Sequence, residues 1–318
     1  MKKIFLAIFL FTFFITLKAE QNEFRIAKQY GIVYLPLIVI ENHKLIEKNA
    51  KEVGLENVKV SWVTFSGGAG ANDGLLSNSV DIISGGVPPA VILWDKSKGK
   101  VKAIASLASQ NMVLVTSNLH VKSLKDFTDN DKIAVPSVKV STQALLIQKF
   151  AAKEFGIKNY DKFDYLTVAL KHPDALIALT SKKSEITAHF AQEPFTSIEL
   201  ENKNIKKVFS ADEVLEGGFV LNLISATEKF YNENPKLVSV LIKSLNEANE
   251  WINDNKRASA ELYVKVTNSK ESADLIYNII NGGDVIFSTK LRNITAFSDF
   301  LYETGVIKNK PKEKELFF

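Results

Sequence analysis

From Phe24 to Ala226 the hydrophobic positions alternate between two rhythms. Short runs with a period of two or with continuous apolar character are FRIAK (Phe24–Lys28), VKVSWVTF (Val58–Phe65), VDIISGG (Val80–Gly86), VKAIASLA (Val101–Ala108) and MVLVTS (Met112–Ser117). These predict strands. Between them, spacings such as Leu35, Leu37, Ile38, Leu45 and Ile46 predict helices. From about Lys122 the order restarts. SLKDF predicts a short helix, KIAVPS a strand with a Pro-Ser turn, and STQALLIQKFAAKEFG a helix closed by Gly156. FDYLTV, ITAHFA and IKKVFS follow as strands, and Gly217-Gly218 precedes a further one, FVLNLISA.

Beyond Ala226 the pattern turns wholly helical. Pro235 stands where a first-turn proline is tolerated, and Leu237, Val238, Leu241, Leu245, Ala248 and Ile252 form one stripe. Three more helical segments run to Thr304. The closing KNKPKEKELFF, with Lys308, Lys310, Lys312 and Lys314 set among Glu313 and Glu315, reads as a solvated tail. Alternation of strand and helix argues an α/β fold with mainly parallel sheets. Two lobes are expected, one from residues 20–115 plus 225–318 and one from residues 116–224, with the terminal helices packing on the first.

The N-terminus changes the picture of charge. MKKIFLAIFLFTFFITLKA has two lysines, an apolar run and Leu17-Lys18-Ala19, the pattern of a cleaved secretory signal over residues 1–19. About 14 apolar residues fall short of the roughly 20 that span a bilayer. Losing Lys2, Lys3 and Lys18, and no acid, takes the net charge of the 318-residue chain from +4 to +1. The dispersed lysines and the lack of a basic-aromatic stripe give no signature of nucleic-acid binding. Cysteine is absent, which excludes disulfides, thiolate nucleophiles and cysteine-based metal sites. The four histidines lack zinc-site spacing, so no metal or other cofactor is expected. A large, cysteine-free, exported α/β protein suits a bacterial periplasm.

Candidate chemistry gathers at strand-to-helix turns, whose backbone N–H groups converge on negative or partly negative groups. Ser66-Gly67-Gly68 opens one, Gly86-Val87-Pro88 a second, and Ser137 to Thr142, with Lys139 and the capping candidates Ser141 and Thr142, a third. Such turns collect at the carboxyl ends of open sheets, where ligands bind. Gln192 and Glu193 follow a strand and face the same region, and Tyr30 can stack on a ligand. There is no GxSxG elbow, P-loop lysine or clean GxGxxG spacing. His189 lies within a strand as a packed or capped histidine, and His172 starts a helix.

The segments IAKQYGIVYLPLIVIENHKLIEK, VTFSGGAGANDGLLSNSVDIISGGVPPAVILWDK, KIAVPSVKVSTQALLIQKFAAKEFG and EITAHFAQEPF resemble, in this order, the solute-binding proteins of nitrate/sulfonate/taurine-type ABC importers. The resemblance covers nearly all of the mature chain. It implies a type II-like two-lobed periplasmic binding protein, a monomer holding a small polar solute between its lobes and delivering it to a membrane permease and its ATPase. Tyr30, Gly31, Ser66–Gly68 and Gly86–Pro88 would line the first lobe; Ser137, Lys139, Ser141, Thr142, Gln192 and Glu193 would line the second. No arginine stands in a candidate turn, which leaves room for a thiamine-pyrimidine-like heterocycle with Glu193 as counter-charge. A ligand sensor would use the same cleft. The related pyrimidine synthases carry a cysteine-rich motif absent here, so no enzymatic activity is expected.

Overall fold

The computed structural model describes residues 20–181, 183–215, 220–290 and 297–318. The expected signal segment, Gly217-Gly218 and Arg292 lie outside the described residues. Eleven strands are described: β1 (Glu23–Lys28), β2 (Lys59–Thr64), β3 (Ile82–Gly86), β4 (Val101–Gln110), β5 (Val113–Thr116), β6 (Ile133–Val135), β7 (Thr167–Ala169), β8 (Ala188–Ala191), β9 (Lys206–Ser210), β10 (Val220–Thr227) and β11 (Val285–Phe287). The helices are α1 (Leu35–His43), α2 (Leu45–Glu52), α3 (Gly68–Leu76), α4 (Val87–Lys96), α5 (Thr142–Phe155), α6 (His172–Thr180), α7 (Phe195–Leu200), α8 (Glu228–Glu233), α9 (Pro235–Asp254), α10 (Lys256–Thr267), α11 (Ala273–Gly282) and α12 (Ser298–Glu303).

The strands form two sheets, one of order β11-β4-β10-β3-β1-β2 and one of order β7-β6-β8-β5-β9. Pairing β1 parallel to β2 and β3, with β10 antiparallel to β3 and β4, leaves β1 to β4 running one way. In the second sheet β5 alone opposes its companions. The sheets are therefore mixed, with β10, which leads into α8, opposed to β3 and β4, yet the strands that lead into α3 to α7 share a direction within each sheet. Their carboxyl ends lie on one edge, where the turns of the two lobes meet.

Local chemistry explains the elements. Phe24 and Ile26 are fully buried on β1, and Leu237, Leu241, Leu245 and Ile252 bury the expected stripe of α9. Ser141 Oγ accepts the Ala144 N–H at 3.3 Å to start α5, and Gly156, at φ 84°, ends it. No helix among the described residues is long and apolar enough to cross a membrane.

Two crossings join the lobes, Asn111-Met112 between β4 and β5, and the segment between β9 and β10. β4 neighbours β10 and β5 neighbours β9, and where the connections leave the second sheet Ala211 N–H donates to Met112 O at 2.9 Å. Boundaries at 115/116 and 224/225 cut through β5 and β10, each of which belongs whole to one sheet. The all-helical expectation after Ala226 misses β11, which pairs with β4. The terminal segment also departs from a solvated tail. Its lysines are exposed, but Ile307 and Leu316 are buried, Trp94 Nε1–H donates to Glu315 O at 2.9 Å, and the Phe318 ring stacks on Tyr231 at 4.0 Å. The preceding helix α12 reaches the second lobe, where Phe300 lies edge-on to Tyr160 at 6.1 Å.

Candidate functional site

The strand-to-helix turns of one lobe meet those of the other. A Cβ on Gly67 would lie 2.5 Å from both Pro136 O and Ser137 Oγ, and one on Gly86 would collide with Thr142 Oγ1. Gly31, at φ 124°, occupies backbone that side chains rarely adopt and has Gln192 pressed against its open face. Gln192 Nε2 donates to Tyr30 O at 2.5 Å, Ile32 N–H donates to Glu193 O at 2.9 Å, and Gln110 Nε2 donates to Gln192 Oε1 at 2.8 Å. These bonds tie the lobes at the level of the crossings.

Between the turns lies a small cavity of about 20 Å³. The first lobe lines it with Gln29, Tyr34, Gly68, Gly86, Pro89 and Asn222. The second contributes Pro136, Ser141, Thr142, Gln143, His172 and Gln192, and Met112 closes it from the crossing. First-turn or N-cap residues of α3, α4, α5 and α6 all stand on this one space. Helix N-termini carry partial positive charge and unmatched N–H donors. No carboxylate, lysine or arginine is among the lining residues. Tyr34 is fully enclosed; Asn222 Nδ2 donates to its hydroxyl oxygen at 3.2 Å, while burial raises the phenol pKa above its ordinary value.

Of the sequence-derived candidates, Gly68, Gly86, Ser141, Thr142 and Gln192 line the cavity. Gly31, Gly67 and Ser137 stand at the contacts between lobes. Others lie elsewhere. Ser66 is exposed, Val87 packs into the hydrophobic core and Pro88 is buried beside it. Lys139, in left-handed backbone at φ 61°, has its side chain exposed, with Nζ 3.9 Å from Asp164. Glu193 turns back on its own helix, accepting the Ser197 N–H at 3.4 Å, and burial raises its pKa. It does not face the cavity as a counter-charge. Tyr30 lies in a separate open groove of about 650 Å³, between α6 and α7 on one side and α1 and α10 on the other, with Lys171 Nζ 5.9 Å from its ring.

Gln29, Tyr34, Gln143, His172 and Asn222 were missed by sequence reasoning. Two left a signal: Gln29 directly follows β1, and Asn222 is a lone amide in the apolar run VLNLISA. His172 begins α6 as expected, but its surroundings were not legible. Its Nδ1 lies 2.7 Å from His189 Nε2, and His189 Nδ1 lies 2.6 Å from Glu199 Oε1. Burial drives the His189 pKa down to about 3 and His172 well below its ordinary range, and pushes Glu199 up to about 9. Among the described residues no group of three or more His, Asp or Glu is placed to hold a metal ion.

The architecture, two α/β lobes joined by paired crossings over an inter-lobe cavity, is the periplasmic binding protein fold. The alkanesulfonate-binding protein SsuA from Xanthomonas axonopodis pv. citri, bound to MOPS, aligns with a TM-score of 0.74 over 94% of this chain and 99% of its own, at 14% identity. The periplasmic aliphatic sulphonate-binding protein SsuA from Escherichia coli aligns with a TM-score of 0.67 over 94% and 92%, at 17% identity. The periplasmic nitrate-binding protein NrtA from Synechocystis PCC 6803 gives 0.62 over 89% and 80%, at 12% identity. The sequence matches the profile of the NMT1-like family over residues 18–267, and the chain belongs to that family. A search of the curated proteins finds no match.

Proposed function

We propose that this protein is the solute-capturing component of an ABC importer, working as an exported monomer in the periplasm. It closes its two lobes on a small polar solute of the sulfonate, taurine or nitrate class and passes it to a membrane permease, without chemistry on the solute. The observation that carries this reading is the convergence of four helix starts, two from each lobe, on one inter-lobe cavity lined by neutral polar groups. Partial positive charge from helix ends and fixed N–H donors suit an acceptor-rich solute. The solved relatives that bind sulfonates and nitrate support the class.

At about 20 Å³ the cavity has room for little more than a water molecule. A solute gains access when the lobes part about the two crossings, and closure then excludes solvent. The carboxamides of Gln29, Gln143, Gln192 and Asn222 each offer donors and acceptors. They favour, as a second reading, a neutral aminopyrimidine. A thermal-shift panel of nitrate, taurine, ethanesulfonate and 4-amino-5-hydroxymethyl-2-methylpyrimidine separates the two. A solute that binds the native state raises the melting temperature, by linkage. A rise with the sulfonates or nitrate is expected; a rise with the pyrimidine alone would favour the second reading, and no rise with any would sink solute capture.

A further inference from the structure

The cleft wall at His172 is backed by a line of buried polar side chains. His172, His189 and Glu199 are sealed from solvent, and Glu199 Oε2 has no hydrogen-bond partner. An ionised carboxylate there would leave a charge with one bare oxygen in the interior. A carboxylic acid leaves only a carbonyl lone pair unmet, which costs far less. The group within ion-pair distance is His189, itself buried and neutral.

The acid proton has a partner on only one side. On Oε2 it would find none; on Oε1 it faces His189 Nδ1 at 2.6 Å, an O–H···N hydrogen bond of ordinary length. His189 then carries its single proton on Nε2 and donates it to His172 Nδ1 at 2.7 Å. His172 in turn carries its proton on Nε2. A neutral imidazole has one donor and one acceptor nitrogen, so the direction set at Glu199 passes to the cleft without branching. Phe195 stacks on the His172 ring at 5.3 Å and 18°, which fixes where the last N–H points.

The neighbour of that N–H is the carboxamide of Gln143, whose nitrogen is placed 3.2 Å from His172 Nε2. Two donors do not bond. Carboxamide oxygen and nitrogen exchange by a flip, so Gln143 presents Oε1 to His172 in the unliganded protein or yields to a ligand. We infer that His172 Nε2–H is a fixed hydrogen-bond donor in the solute cleft, its polarity enforced through His189 by a proton resident on Glu199. It selects solutes that place an acceptor oxygen at that wall, whether a sulfonate, a nitrate or a carbonyl, and rejects a cation or an N–H donor there. This rests on the cleft being the solute site.

Long-range ¹H–¹⁵N correlation NMR of the imidazole rings at pH 7, with His172→Phe and His189→Phe spectra for assignment, reads which nitrogen holds each proton. Both rings are expected neutral and protonated at Nε2, with the His172 Nε2 signal moving when ethanesulfonate is added. Glu199→Gln keeps a neutral donor to His189 and is expected to bind ethanesulfonate within about threefold of the parent protein, whereas His172→Phe loses about tenfold or more. A ring protonated at Nδ1, or a charged ring, overturns the relay. A His172 Nε2 signal that stays fixed while ethanesulfonate raises the melting temperature overturns the contact. Rings protonated as expected, in a protein that no member of the thermal-shift panel stabilises, would instead sink the reading of the cleft and the selection with it.

Discussion

Three buried side chains, His172, His189 and Glu199, shape the pH range in which this protein is stable. Folding holds His189 at a pKa of about 3 and His172 well below the ordinary 6.5, so below pH 6.5 the unfolded chain alone binds their protons. Stability is lost as pH falls through that window. Glu199 behaves in the opposite way. Its pKa of about 9, against an ordinary 4.5, means that the unfolded chain alone releases its proton in between, so stability is lost as pH rises from 4.5 towards 9. Between pH 4.5 and 6.5 two histidines outweigh one glutamate, and the cluster is most stabilising near pH 6.5. Each group contributes up to about 1.4 kcal/mol per pH unit. Urea midpoints measured across pH 5 to 8.5 are expected to peak near neutrality and decline on both sides; Glu199→Leu with His189→Phe should flatten the alkaline limb, while His172 keeps the acid one. A parent profile already flat over that range would contradict the neutral cluster.

The terminal segment is the element whose role the pattern of charges disguises. Lysines and glutamates alternate along its exposed side, while Ile307 and Leu316 are buried and the Ala103 N–H donates to Leu316 O at 2.8 Å. Fully burying one such side chain is worth about 1.5–3 kcal/mol. Ending the chain after Val306 is therefore expected to lower the unfolding free energy by about 3–6 kcal/mol, read from chemical denaturation. A change below about 1 kcal/mol would mean that the segment is as solvated as its lysines suggest. Because it holds Trp94 through Glu315 and Tyr231 through Phe318, limited proteolysis of the shortened protein should also become faster.

At the scale of the whole molecule, closure depends on backbone meeting backbone. Gly67 has φ −171°, extended geometry that any residue adopts, so alanine there leaves its own lobe unstrained. What has no room for a Cβ is the other lobe, through Pro136 O and Ser137 Oγ. Gly67→Ala is expected to unfold at nearly the parent temperature, yet to show a larger radius of gyration by small-angle X-ray scattering. Its affinity for the captured solute should fall about tenfold or more. Equal radii with equal affinity would show that the lobes do not need this approach.

Much was legible in advance because it is local. The strand and helix rhythms of β1 to β6, the Ser141 cap and Gly156 stop of α5, and the restart of the pattern near Lys122 are fixed by period, capping and turn chemistry, which depend on near neighbours along the chain. The three turns also announced which backbone would gather at the sheet edges. Tertiary structure decided which side chains enter the cleft. Lys139 and Glu193 sit in the right turns and face away, while Asn222, Tyr34 and His172 come from distant strands and helices whose register only packing sets. It also decided protonation, since burial of Glu199 beside His189 depends on residues far apart in sequence, and desolvation has no local sequence pattern.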